Sequence, residues 1–102
     1  MKIDLRRLRK ELDKVDERMV SILSKRMLIV HKIACIKAED GLRIKDKTRE
    51  KDVLARVEKL AHLNYLSSSY VKKLFSIILL ESFQEQKKMV QKKKAGRHAS
   101  SS

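Results

Sequence analysis

The chain has no proline and no tryptophan, only two glycines and one cysteine, and its aromatics are two tyrosines and two phenylalanines. Without proline nothing breaks a helix from within, and so few turn-makers argue against a many-stranded sheet. One cysteine excludes an intramolecular disulfide framework and is too few for a zinc finger. No apolar run approaches the ~18 residues of a membrane span. Met1–Lys10 is charged throughout and lacks the apolar core of a secretory signal, so the expected compartment is cytoplasmic. Acidic residues are scarce too: 13 Asp+Glu face 26 Lys+Arg, a formal net charge of +13. At 102 residues the chain is long enough for one core only.

What fills the chain is Lys, Leu, Arg, Glu, Ile and Ala, mostly good helix formers. Leu5, Leu8, Leu12, Val15, Met19 and Ile22 recur in alternating steps of three and four, a heptad-like stripe that continues through Ile29, Val30, Ile33 and Ile36. Asp4 is the expected N-cap and Gly41 the expected stop. About 36 residues at ~1.5 Å each make a rod of roughly 50 Å. A compact domain of this size has a radius of gyration of only about 13 Å. The stripe therefore outruns its own chain's core, and a second protomer is expected to cover it. After a short connection at 42–47, a second helix is expected from near Asp46 or Thr48 to 62–64, carrying Val53, Leu54, Val57, Leu60 and Ala61. Ser67 should cap a third, from Ser68 to about Gln91, with Val71, Leu74, Phe75, Ile78, Leu79 and Phe83 inward. The fold class is thus all-α, a three-helix protomer in an intertwined homodimer. Residues 1–91 form the domain; 92–102, basic and without an apolar stripe, are expected to be a frayed or disordered tail.

Polar residues interrupt the apolar stripes. Arg26 lies between Ile22 and Ile29, and Lys37 follows Ile33 by four, so both share one face about 16 Å apart along the axis. Each alone reads first as a cation snorkelling from a bundle rim; two on one inward stripe suit gripping a small molecule from both ends. Ser82 and Gln86 continue the line of Val71, Phe75 and Ile78, where a buried hydroxyl and amide need partners. The segment Asp46-Lys47-Thr48-Arg49-Glu50 starts a helix that folds back toward Lys37. Arg9 is 17 residues before Arg26, about 25 Å along the same rod, and can serve that site only from a partner chain. His31 and Cys35 are half a metal site at most, since no third ligand is visible. Neither a nucleophile–base pair nor a Gly-rich phosphate loop stands out. The residues point to a binder, or an electrostatic catalyst, for a small anion bearing more than one carboxylate.

Over residues 5–91 the sequence resembles the all-helical class of chorismate mutases, the type II fold. The resemblance rests on Leu8-Arg9-Lys10 with Asp13 and Asp16, on Ser24-Lys25-Arg26-Met27, and on Lys32-Ile33-Ala34-x-x-Lys37. It continues in Ile44-x-Asp46-x-x-Arg49-Glu50, Leu74-Phe75-x-x-Ile78 and Glu81-Ser82-x-x-x-Gln86. It implies an isomerase that converts chorismate to prephenate by a Claisen rearrangement, in the shikimate pathway toward phenylalanine and tyrosine. The reaction is unimolecular and pericyclic, so no metal or cofactor is implied. It implies two sites per homodimer. In each, Arg26 and the partner's Arg9 would pair with the substrate carboxylates and Ser82 would add a hydrogen bond to one. Lys37 and Gln86 would donate to the ether oxygen, Glu50 would accept from the ring hydroxyl, and Asp46 and Arg49 would order that end of the pocket.

Two other readings compete. Within the resemblance it is an isochorismate–pyruvate lyase, against which the intact Asp46-x-x-Arg49-Glu50 segment speaks. Outside it is a basic helical nucleic-acid binder, favoured by charge alone; few aromatics and no purely basic helix face weigh against it. A membrane partner is not expected.

Overall fold

A computed structural model describes residues 4–100; Met1–Ile3 and the last two serines of the predicted tail lie outside it. Three helices account for it: α1 (Leu5–Glu39), α2 (Lys47–Leu63) and α3 (Ser68–Ser100). No strand occurs among the described residues, and no helix is long and apolar enough to cross a membrane.

The helix ends follow from local chemistry. The Asp4 carboxylate accepts from Arg6 N–H, and the Asp46 carboxylate from Arg49 N–H at 2.9 Å, which starts α2. The Ser67 hydroxyl accepts from Tyr70 N–H at the start of α3. Helix α1 closes with Gly41 at φ +66 and Leu42 N–H returning to the Lys37 carbonyl, a Schellman ending. Helix α2 ends the same way: Tyr65 N–H meets the His62 carbonyl and Leu66 N–H the Ala61 carbonyl. Here, however, the left-handed position holds a tyrosine, at φ 59 and 99% exposed. A non-glycine residue there costs about 1–2 kcal/mol, part of which glycine's greater unfolded-state freedom takes back. Tyr65→Gly should therefore raise the thermal midpoint by about 4 °C, close to 1 kcal/mol for a chain this size. A lowered midpoint in a calorimetric scan would show that the exposed ring is covered by another molecule.

Helix α3 runs past the expected stop at Gln91 and carries the helix through the basic segment. Lys92, Lys93, Lys94 and Ala95 are good helix formers, and Lys93 Nζ meets Glu39 Oε1 at 3.1 Å where the extension passes the end of α1. The basic segment from 92 is helical as far as Ser100.

Helix α3 is the shared element, packed against both α1 and α2. Between α2 and α3 lies the apolar cluster of Val57, Ala61 and Val71, flanked by Val53 and Phe75; Val30 and Ala34 are buried on α1. The N-terminal half of α1 has no such cover. Leu5, Leu8, Leu12, Val15, Met19 and Ile22 are each between 45% and 63% exposed. The protomer is correspondingly long, 71 × 28 × 15 Å with a radius of gyration of 18.6 Å.

Candidate active site

A cleft of about 270 Å³ opens where the C-terminal half of α1, the 40–46 connection, the first turns of α2 and the middle of α3 meet. Helical spacing brings Arg26, Val30, Ile33 and Lys37 of α1 to one wall. Leu79, Ser82, Phe83 and Gln86 of α3 form a second. Ile44, Lys45 and Asp46, with Arg49, Glu50 and Val53 of α2, complete it. The polar intruders at 26, 37, 46, 49, 50, 82 and 86 thus converge on one site within a single chain. Arg9 does not: it lies exposed near the start of α1, and no contact brings it to this cleft.

The polar groups form two linked pairs. Arg26 Nη1 donates to Ser82 Oγ at 2.7 Å, and Ser82 Oγ donates its one proton to the Ile78 carbonyl, also at 2.7 Å. Ser82 is buried, 6% exposed. In this arrangement the hydroxyl links Arg26 to the backbone of α3 and orients the guanidinium. Lys37 Nζ donates to the Ile44 carbonyl at 2.7 Å and to Gln86 Oε1 at 3.0 Å. An ammonium has three donors, so one remains free, and the bond through Oε1 leaves the Gln86 NH₂ available. Lys37 also ties the connection to both long helices.

Charge in the cleft favours an anionic guest. Burial first, and the positive charge of Arg49 second, lower the Arg26 pKa below its ordinary value. A guest carboxylate near both guanidiniums relieves that repulsion. Glu50 is held by Lys45, whose Nζ lies 3.1 Å from each carboxylate oxygen. Lys45 in turn stands 4.8 Å from the centre of the Phe83 ring. Lys45 and Phe83 line the site although the sequence pattern does not mark them for it. Lys45 sits in a connection without periodicity, and Phe83 reads as ordinary core; their signals are adjacency to Asp46 and to Ser82.

His31 is paired with Glu85 across α1 and α3, its Nε2 3.0 Å from Oε1. No group of three metal-ligating side chains occurs among the described residues.

Residues 8–87 match the family described as chorismate mutase type II. Over 91 residues the chain is 36% identical to a bifunctional chorismate mutase/prephenate dehydratase of Buchnera aphidicola subsp. Schizaphis graminum, covering 89% of this chain and 24% of that protein. It spans about a quarter of the length of such bifunctional relatives. A chorismate mutase of Methanocaldococcus jannaschii is 28% identical over 74% of this chain and 76% of its own length. Among solved structures, a conserved hypothetical protein from Pyrococcus furiosus superposes with a TM-score of 0.67 at 35% identity, covering 84% of this chain and 99% of that one.

Proposed function

The chain belongs to the chorismate mutase type II family, and from that membership we propose that it catalyses the Claisen rearrangement of chorismate to prephenate. The observation that carries this reading is the pairing of Lys37 with Gln86 at 3.0 Å in a cleft that also holds Arg26, Arg49 and Glu50. The reaction breaks a C–O bond and forms a C–C bond within one molecule, with no proton to move. A catalyst must fold the enolpyruvyl ether over the ring and stabilise negative charge growing on the ether oxygen. The free ammonium hydrogen of Lys37 and the NH₂ of Gln86 are two donors suited to that oxygen. Removing one such preorganised donor costs about 2.7–4 kcal/mol of transition-state stabilisation.

In this reading Arg26 takes one substrate carboxylate and Arg9 of a second copy takes the other. Glu50 accepts from the ring hydroxyl, Asp46 and Arg49 order that end, and Ser82 keeps the Arg26 fork in plane. The bare stripe on α1 supports the homodimer that brings Arg9 in. Residues 1–91 are the mutase unit, the α3 extension lies outside it, and the setting is cytoplasmic synthesis of phenylalanine and tyrosine without a cofactor.

The test is direct: chorismate absorbance should fall on adding protein, with prephenate as product. Pyruvate release from isochorismate, or no turnover with salt-sensitive binding to nucleic acid, would replace the reading. Arg26→Lys keeps the cation and loses the planar fork. It should lower kcat/KM about 30-fold or more, a loss of ~2 kcal/mol; equal activity would show that bidentate recognition is not made here.

A further inference from the structure

Lys45 has no task in the reaction described above, yet several contacts converge on it. One ammonium engages both oxygens of Glu50, at 3.1 Å each. The same nitrogen rests over the Phe83 ring at 4.8 Å, on α3, so the residue bridges α2 and α3 from the connection between α1 and α2. Lys87 Nζ lies over that ring too, at 5.4 Å from its centre. Lys45, Glu50 and Phe83 all line the cleft. The pair is not a stability device: the Lys45 and Glu50 side chains are 42% and 28% exposed, and ion pairs open to water add little to folding. Its position at the cleft wall gives it a different use.

We propose that Lys45 is a positioning residue for Glu50: its ammonium, braced on the Phe83 ring, fixes the carboxylate for the substrate's ring hydroxyl and masks its charge from an incoming dicarboxylate. The inference rests on the reading of this cleft as a chorismate mutase site. Two consequences of charge and geometry support it. An unmasked carboxylate in a cleft built for a dianion repels its own substrate. A carboxylate held through both oxygens is also kept at one place on the cleft wall, whereas a free glutamate stem samples several rotamers. The cation–π contact is what keeps a flexible lysine stem in place, since a cation above an aromatic face is attracted to it.

The experiment is a double-mutant cycle read in kcat and KM. Lys45→Met should lower kcat/KM about tenfold or more, chiefly through KM, without changing the circular dichroism or the thermal midpoint. In a Glu50→Gln background, where there is no charge to mask or orient, the same change should cost less than twofold. Lys45→Arg, which can also fork onto a carboxylate and stack on a ring, should retain at least about a third of wild-type kcat/KM. A penalty of the same size in both backgrounds would overturn the proposal, because Lys45 would then act on the connection or on substrate directly. No penalty in the wild-type background would overturn it as well. Should Lys45→Met fail to fold, Lys45→Gln replaces it in the cycle; loss of the fold in both makes the residue structural and ends the proposal. Failure of wild-type protein to turn over chorismate sinks the underlying reading instead, an outcome distinct from a flat cycle in an active enzyme.

Discussion

Mixing Arg9→Ala protein with Lys37→Ala protein is expected to restore turnover that neither has alone. Each variant loses a charged contact to substrate in every site it forms, a loss of several kcal/mol and so of at least about a hundredfold in rate. Arg9 and Arg26 are separated by about 25 Å along α1, and Arg9 stands outside the cleft of its own chain. A site that uses both must therefore take them from two chains. In a heterodimer, the Lys37 of one protomer meets the Arg9 of the other in one site, and both defects fall together in the second. With equal mixing and free exchange, half the dimers are hybrid and each carries one good site in two, so activity should approach about a quarter of wild type. Subunit exchange is followed by mass spectrometry. Exchange without recovery would show that the site is completed within one chain.

Most of what positions the cleft was legible because it depends on local rules. Asp4 and Asp46 are caps by side-chain chemistry, and Gly41 ends α1 because it takes a positive φ without strain. The residues at 26, 37, 82 and 86 stood out because a cation, hydroxyl or amide on an apolar stripe breaks a strict period, and the structure joins them as two hydrogen-bonded pairs. What was not legible depends on contacts between distant segments. Lys45 gains its meaning only when the connection folds against Phe83 of α3. The Ser82 proton goes to the Ile78 carbonyl, a choice among acceptors that sequence cannot rank. Past Gln91, Lys93 of α3 meets Glu39 of α1, 54 residues away in sequence. Tyr65 in a left-handed cap runs against residue preference, and no spacing rule announces it.

Gln86→Glu is expected to be inactive at neutral pH and to regain activity in acid. The two side chains have nearly the same shape, but an ionised carboxylate only accepts. At this position it would face negative charge growing on the ether oxygen. It would also draw Lys37, whose Nζ already lies 3.0 Å from the Gln86 oxygen, into an ion pair and away from the substrate. The loss at pH 7 should thus exceed that of removing a single donor, about 2.7–4 kcal/mol or 10²–10³-fold. Protonation restores an O–H donor, so the sign is fixed: the variant gains activity as pH falls, whereas the wild-type amide needs no proton. The range follows from the neighbours. An ordinary glutamic acid titrates at about 4.3. Arg26, Lys37, Lys45 and Arg49 line the cleft against Asp46 and Glu50 alone, and in the free enzyme that excess of cations pulls the introduced carboxyl down. A bound dianion offsets that excess, so the carboxyl titrates higher in the complex than in the free enzyme. Because kcat/KM reports the free enzyme and kcat the complex, the recovery in kcat should begin at higher pH than the recovery in kcat/KM. Both are measured from about pH 4 to 9, with circular dichroism at each point to verify the fold. Variant profiles parallel to wild type would remove Gln86 from the transition state and leave it as the partner that holds Lys37 in place.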